Sequence, residues 1–248
     1  MKNYQKKSAF LILFGLFLNI SAIHSQTSSN DISTYNWFDK TVGIENLNLI
    51  NGVPHTNPFR TIDENNMYYI NQYELGSLNY EGQTYFNIML KYDIYRDILA
   101  LNPYGESENI GVNVIKTKVQ FFSIKDKNFV NLDRKDPAVP EFTAGYYEEN
   151  KISPDFVLYI KHHKNQQKTI VESVLYYHYK EDSSFFLDLK NKIYPIKSKN
   201  DVIKLFPEQK KQINGFYLMN RELRKSDEKQ FMRNLMKYIN NSLSIQTK

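Results

Sequence analysis

Cysteine is absent from all 248 residues. That one absence removes disulfides, thiolate nucleophiles, cysteine zinc sites and thiol redox chemistry together. Glycine is sparse: nine residues are scattered with neither G-x-G-x-x-G nor G-x-x-x-x-G-K spacing, so no backbone cradle for phosphates is written in the chain and nucleotide binding is disfavoured. No serine stands in a Gly-x-Ser-x-Gly elbow; Ser183, Ser184 and Ser198 sit in turn or cap contexts. Tryptophan occurs once, as Trp37. There is no repeat, no long Gly/Ser or Pro-rich linker, and no apolar run of the roughly 20 residues a membrane-spanning helix needs.

The longest apolar run, Phe10 to Ile20, follows Lys2, Lys6 and Lys7 and leads into the small-residue stretch "SAIHSQ". A basic start, a short apolar centre and small residues beyond it make a secretory signal peptide over residues 1–25, with cleavage after Ser25. No cysteine follows to carry a lipid. The expectation is an exported protein of the periplasm or the extracellular space. Losing three lysines leaves 29 Lys+Arg against 27 Asp+Glu, so the high isoelectric point is no argument for nucleic acid. Charge is graded instead: 4 basic and 11 acidic residues over 26–110, 11 and 11 over 111–189, 14 and 5 over 190–248. The basic end could meet an acidic partner or simply form solvated helix faces.

An exported chain without disulfides must be held by burial. The aromatic content, 19 Tyr and 16 Phe, supplies it. Residues 26–36 are small and polar and are expected as a flexible leader; residues 37–248 read as one β-rich domain. From about residue 67 to 194, short segments rich in Tyr, Phe, Ile and Val alternate with turn signals at intervals of roughly ten residues, the pattern of an antiparallel meander. Glu81-Gly82 and Lys125–Asn128 are expected turns. Lys164–Gln167 is a third, which would close a hairpin that places His178 near Ser153. From about 198 the period becomes helical. Ser198 caps a first helix with Asp201 in its first turn, Pro207 opens a second, and Asp227 begins a third that carries Phe231, Leu235, Tyr238, Ile239 and Ser242 on one face. Lys229, Arg233 and Lys237 are placed on the opposite face, and with Lys225 they form the candidate partner surface. The expected class is α+β: a curved sheet or partly open barrel packed against two or three C-terminal helices.

"ELGSLNYEGQTYFNIMLKYDIYRDILAL", "VQFFSIKDKNFVNL", "KNKIYPIKSKNDVIKLFPEQKKQI" and "EKQFMRNLMKYIN" together cover most of the chain beyond the leader. They resemble a recurrent group of exported, uncharacterised proteins of Bacteroidetes-type bacteria, most specifically in the spacing of Gly76, Tyr80, Gly82 and Tyr85, in Tyr92, Asp93 and Asp97, and in Ser198 to Lys211. The resemblance implies an envelope or extracellular setting and carries no catalytic residue.

Candidate chemistry is thin. His162 and His163 are sequence neighbours, so on a strand they point to opposite faces, which makes a zinc site a weak reading. Glycoside hydrolysis could draw on Asp93, Asp97, Glu74 or Glu81, but the separation across a cleft decides that mechanism. Tyrosines, with Trp37 as platform, could line a sugar or peptide site, although a sheet also needs aromatics for its core. In "YFNIMLKYDIYRDIL", strict alternation puts Phe86, Ile88, Leu90 and Tyr92 on one face and Tyr85, Asn87, Met89 and Lys91 on the other. Asp93, Arg96 and Asp97 then fall in a chain reversal and are expected to bond turn backbone or one another. No cofactor, metal or catalytic residue is assigned. The function expected is non-enzymatic binding of a protein or envelope component; a carrier or sensor of an apolar ligand stands second and a secreted hydrolase third.

Overall fold

The computed structural model describes residues 29–43, 46–62, 66–103, 110–133 and 136–246. Residues 1–25, expected as a signal peptide, and residues 26–28 lie outside them. Helix α1 runs Ser29–Val42. Strands β1 (Glu74–Tyr80), β2 (Gln83–Asp93), β3 (Ile98–Asn102), β4 (Val112–Asn113), β5 (Val119–Ile124) and β6 (Lys127–Leu132) follow. Then come β7 (Gly145–Ser153), β8 (Phe156–Lys161), β9 (Lys164–Val171), β10 (Val174–Glu181), β11 (Ser184–Leu189) and β12 (Lys192–Ile196). Helices α2 (Lys199–Leu205), α3 (Lys210–Met219), α4 (Arg221–Ser226) and α5 (Glu228–Gln246) end the chain.

Ten strands form one antiparallel sheet in the order β12-β11-β8-β7-β6-β5-β1-β2-β3-β4, and β9 pairs with β10 in a separate hairpin. The sheet curls without closing. Tyr92 on β2 and Tyr146 on β7 are four strand spacings apart, about 19 Å in a flat sheet, yet their rings lie 5.7 Å apart. The curl encloses an aromatic core in which Phe122 and Phe129 stack at 4.8 Å and Tyr92 meets both edge-on. A second core lies between Phe156, Leu158, Ile160 and Leu187 of the sheet and Val202, Ile213, Phe231, Leu235 and Ile239 of the helices. The class is therefore α+β, as the change of period near residue 198 implies.

Turn chemistry explains most of the hairpins. Glu81 and Gly82 both have positive φ, 51° and 83°, which a two-residue turn needs to match strand twist. Glu172 and Ser173 adopt the same left-handed pair, at 49° and 65°. Neither residue advertises a turn, whereas Lys164–Gln167 does. The structure corrects the expected hairpin accordingly: Lys164 to Gln167 lie within β9, and His178 pairs with Gln167, not near Ser153.

Further corrections concern the ends of the chain and β2. Residues 29–36, expected as a flexible leader, form the first half of α1. Four C-terminal helices replace two or three, because Asn220 and Asp227 end and restart the helix around the short α4. Ser198 Oγ does accept from the Asp201 N–H, and Asp227 Oδ1 accepts from the Gln230 N–H at 2.9 Å. In β2 a bulge at Asn87, whose φ is 56°, breaks the alternation. Ile88, Leu90 and Tyr92 do face the core, but Tyr85 joins them and Phe86 turns outward.

Because an Asn side chain tolerates that left-handed position and a β-branched one does not, Asn87→Val should cost about 1–3 kcal/mol. Asn87→Gly should be near neutral. Urea midpoints of the two variants, measured with unchanged slopes, check the pair.

Candidate functional site

Carboxylates come first, since a hydrolase depends on them. Each of the four acids available for a glycosidase pair is bound to a cation. Glu74 meets Lys125 at 3.1 Å, Glu81 meets Lys118 at 2.7 Å, and Asp93 Oδ2 meets Arg96 Nε at 2.6 Å. Asp93 Oδ1 also accepts the N–H groups of Tyr95 and Arg96, the turn role expected of it. Asp97 does something else. Its φ of 58° ends the reversal, and its carboxylate accepts from Tyr92 Oη at 2.6 Å, Lys116 Nζ at 2.5 Å and Lys161 Nζ at 2.8 Å. Burial pushes the Asp97 carboxyl up, but the two ammonium groups and the phenol outweigh it and hold it below its ordinary range. Gly145 lies over this cluster with φ 147°; a Cβ there would overlap Asp97 Oδ2 and Lys161 Nζ.

A second polar cluster ties the helices to the sheet. Glu148 on β7 receives Arg233 Nε on Oε1 and Arg233 Nη2 on Oε2, both at 2.7 Å, and His162 Nε2 reaches Oε2 at 2.7 Å. All three side chains are buried. Arg233 thus leaves the candidate partner surface. Met232 and Met236 widen the buried arc of α5 until it reaches this position, and Glu148 supplies the countercharge. His162 is packed in the interior, with Tyr69 edge-on against it at 4.8 Å. Its Nδ1 has no hydrogen-bond partner among the described residues. Protonation would bury a bare N–H there, so the imidazole is neutral with Nε2–H donating to Glu148. Burial, the largest influence, lowers the His162 pKa accordingly. Burial raises Glu148, yet His162 and Arg233 more than offset it and hold the carboxyl at about 2.

Of the rest of the proposed partner surface, Lys225 and Lys237 are exposed, while Lys229 is half-buried and bonded to Glu181 at 2.5 Å. His55 spans Asn113 and Tyr68 at 2.7 and 2.9 Å. Among the described residues no group of three His, Asp or Glu side chains converges as metal ligands. Among the described residues Asp39 on α1 is the one carboxyl whose pKa stands clearly above its ordinary value, raised by burial, but the groove it lines contains no second acid among them.

Two cavities bear on ligand binding. Between β11, β12 and the helices lies a space of about 270 Å³ in which Phe185 and Phe231 share the wall with Lys199, Arg224 and Glu228. That is below the roughly 300–1,000 Å³ of small-molecule sites and is not an apolar tunnel. The larger one, about 890 Å³, is an open groove between α1 and the outer face of β1, β2 and β5. Its aromatic wall is exposed: Tyr35 47%, Trp37 66%, Phe38 52% and Phe121 42% accessible, with Phe86 tilted against Tyr35 at 6.2 Å. Comparison with protein-family models, curated proteins and solved structures finds no match for the chain.

The groove was half legible. Trp37 stands out as the sole indole, but α1 is hidden by its polar composition, and the bulge at Asn87 that turns Phe86 into the groove leaves no periodic trace.

Proposed function

We propose that this chain is an exported, non-catalytic binding protein that contacts a component of the cell envelope, in the periplasm or outside the cell, through the groove of α1 and strands β1, β2 and β5. The observation that carries this reading is the exposed aromatic wall of Tyr35, Trp37, Phe38 and Phe121. Large apolar side chains gathered on one open surface cost solubility unless a ligand covers them. The carboxylates support the same reading from the other side. General acid catalysis needs a carboxyl poised near neutral pH, whereas Asp97 and Glu148 are held low by their cations. The basic leader with its apolar centre supports export, as does the resemblance to exported proteins.

The test is a photo-reactive benzophenone side chain placed at Phe38, with a second at exposed Leu218 on α3 as control. After illumination in the native host, the Phe38 position should give a discrete adduct, identified by mass spectrometry, that the Leu218 position does not. Adducts of equal yield and identity from both positions, or none from Phe38, would overturn the assignment of this groove.

A further inference from the structure

We infer that the groove takes a neutral glycan. The inference rests on the binding reading above and adds the chemistry of the ligand. On the strand side Ser77, Gln83 and Thr84 add hydroxyl and carboxamide groups beside the rings of Phe86 and Phe121, across from Tyr35, Trp37 and Phe38 of α1. Gln83 is exposed and its carboxamide makes no hydrogen bond within the described residues. Thr84 Oγ1 accepts from Asn79 Nδ2 at 2.9 Å, and Ser77 Oγ lies 2.8 Å from Ser123 Oγ, so both hydroxyls are oriented by the sheet beneath them. Gly82 leaves the end of the groove open, since a Cβ there would meet nothing within 4 Å.

Charge narrows the ligand class. Among the described residues the lining holds no lysine or arginine and a single carboxylate, Asp31. A phosphate, sulfate or uronate ligand would enter without a countercharge, which costs it the pairing that anion sites provide. An acyl chain would bury the polar groups of Ser77, Gln83 and Thr84 without satisfying them. A pyranose ring suits this mixed lining: an apolar C–H face for the aromatic rings and hydroxyls that exchange hydrogen bonds with Gln83, Thr84 and Ser77. A volume of about 890 Å³ accommodates several sugar units.

Trp37 is the sole tryptophan, so emission excited selectively at the indole, beyond the absorption of the 19 tyrosines, reports on this groove. The purified protein should be titrated with laminarin, xylo-, malto- and chito-oligosaccharides, and the neutral polysaccharide fraction of its own host. Heparin and phosphatidylethanolamine/phosphatidylglycerol vesicles serve as counter-probes. At least one neutral glycan should shift Trp37 emission to the blue and saturate. Phe121→Ala should weaken that binding on the order of tenfold with circular dichroism unchanged. No shift with any neutral glycan, a shift with vesicles or heparin alone, or full binding by Phe121→Ala would each overturn the glycan. An adduct from the Phe38 position alongside any of these results leaves the envelope-binding reading standing; its absence removes both.

Discussion

Arg233→Ala is expected to lower the unfolding free energy by about 3–5 kcal/mol, the usual loss when one partner of a buried ion pair is removed. The guanidinium makes two bonds to Glu148 and is the only cation hydrogen-bonded to that buried carboxylate among the described residues. Without it the carboxylate must take up a proton or admit water, and α5 loses its polar tie to β7. Replacing both charges should be far milder. Glu148→Gln/Arg233→Met keeps an acceptor for His162 Nε2 and removes both buried charges, so the double variant should regain most of the loss. Urea unfolding of the single and double variants checks the comparison.

The same cluster sets a pH dependence whose sign is fixed by two depressed pKa values. Glu148 has a folded pKa of about 2 against 4.5 for the free side chain. Its contribution, on the order of 3 kcal/mol, is present above pH 4.5 and lost as pH falls toward 2. His162 is also lowered, from 6.5, so the unfolded chain binds its proton first and stability falls as pH drops below 6.5. The wild-type midpoint should therefore decline in two stages on acidification. In Glu148→Gln/Arg233→Met the lower stage should shrink to the part carried by Asp97, whose pKa is also depressed, and the upper one remain.

What could be read in advance follows from the range of the interactions involved. The meander, the Ser198 and Asp227 caps and the apolar face of α5 depend on periodicity and neighbouring residues, which the linear sequence displays. Asp93 is of the same kind, since its bonds reach only two or three residues along the chain. Glu148, His162 and Arg233 meet across as many as 85 positions, through the curl of the sheet and the packing of a helix on it. No local pattern records such a meeting. Arg233 illustrates the cost: helical spacing places it opposite Phe231 and Leu235, and only the width of the buried arc and the presence of Glu148 bring it inside. The hairpin of β9 and β10 was hidden for a different reason. Its turn residues, Glu172 and Ser173, reach left-handed geometry under the constraint of the paired strands, without the Gly or Asn that would announce it.

Asp97 joins these two ranges, and replacing it should produce the second large effect. As a turn residue alone it would tolerate asparagine, which accepts the left-handed φ of 58° at little cost. Its carboxylate, however, is shared by Lys116 and Lys161, and Lys161 is largely buried, with 17% of its side chain accessible. Burial lowers the Lys161 pKa while Asp97 supports its charge. Asp97→Asn would leave two ammonium groups together with no anion between them. The expected loss is about 3 kcal/mol, against about 1 kcal/mol for Asp93→Asn, which keeps its turn acceptor and faces one partly exposed arginine. Adding Lys161→Met to Asp97→Asn should recover part of the loss, because it removes the buried charge while keeping the aliphatic stem against Tyr147, whose ring lies 4.9 Å from the ammonium. Urea midpoints of the two single variants and the double variant measure the coupling, and Trp37 emission in the folded state reports binding separately. A stable Asp97→Asn protein that has lost only its ligand would make Asp97 part of the binding site; equal loss in both aspartate variants would reduce it to a turn.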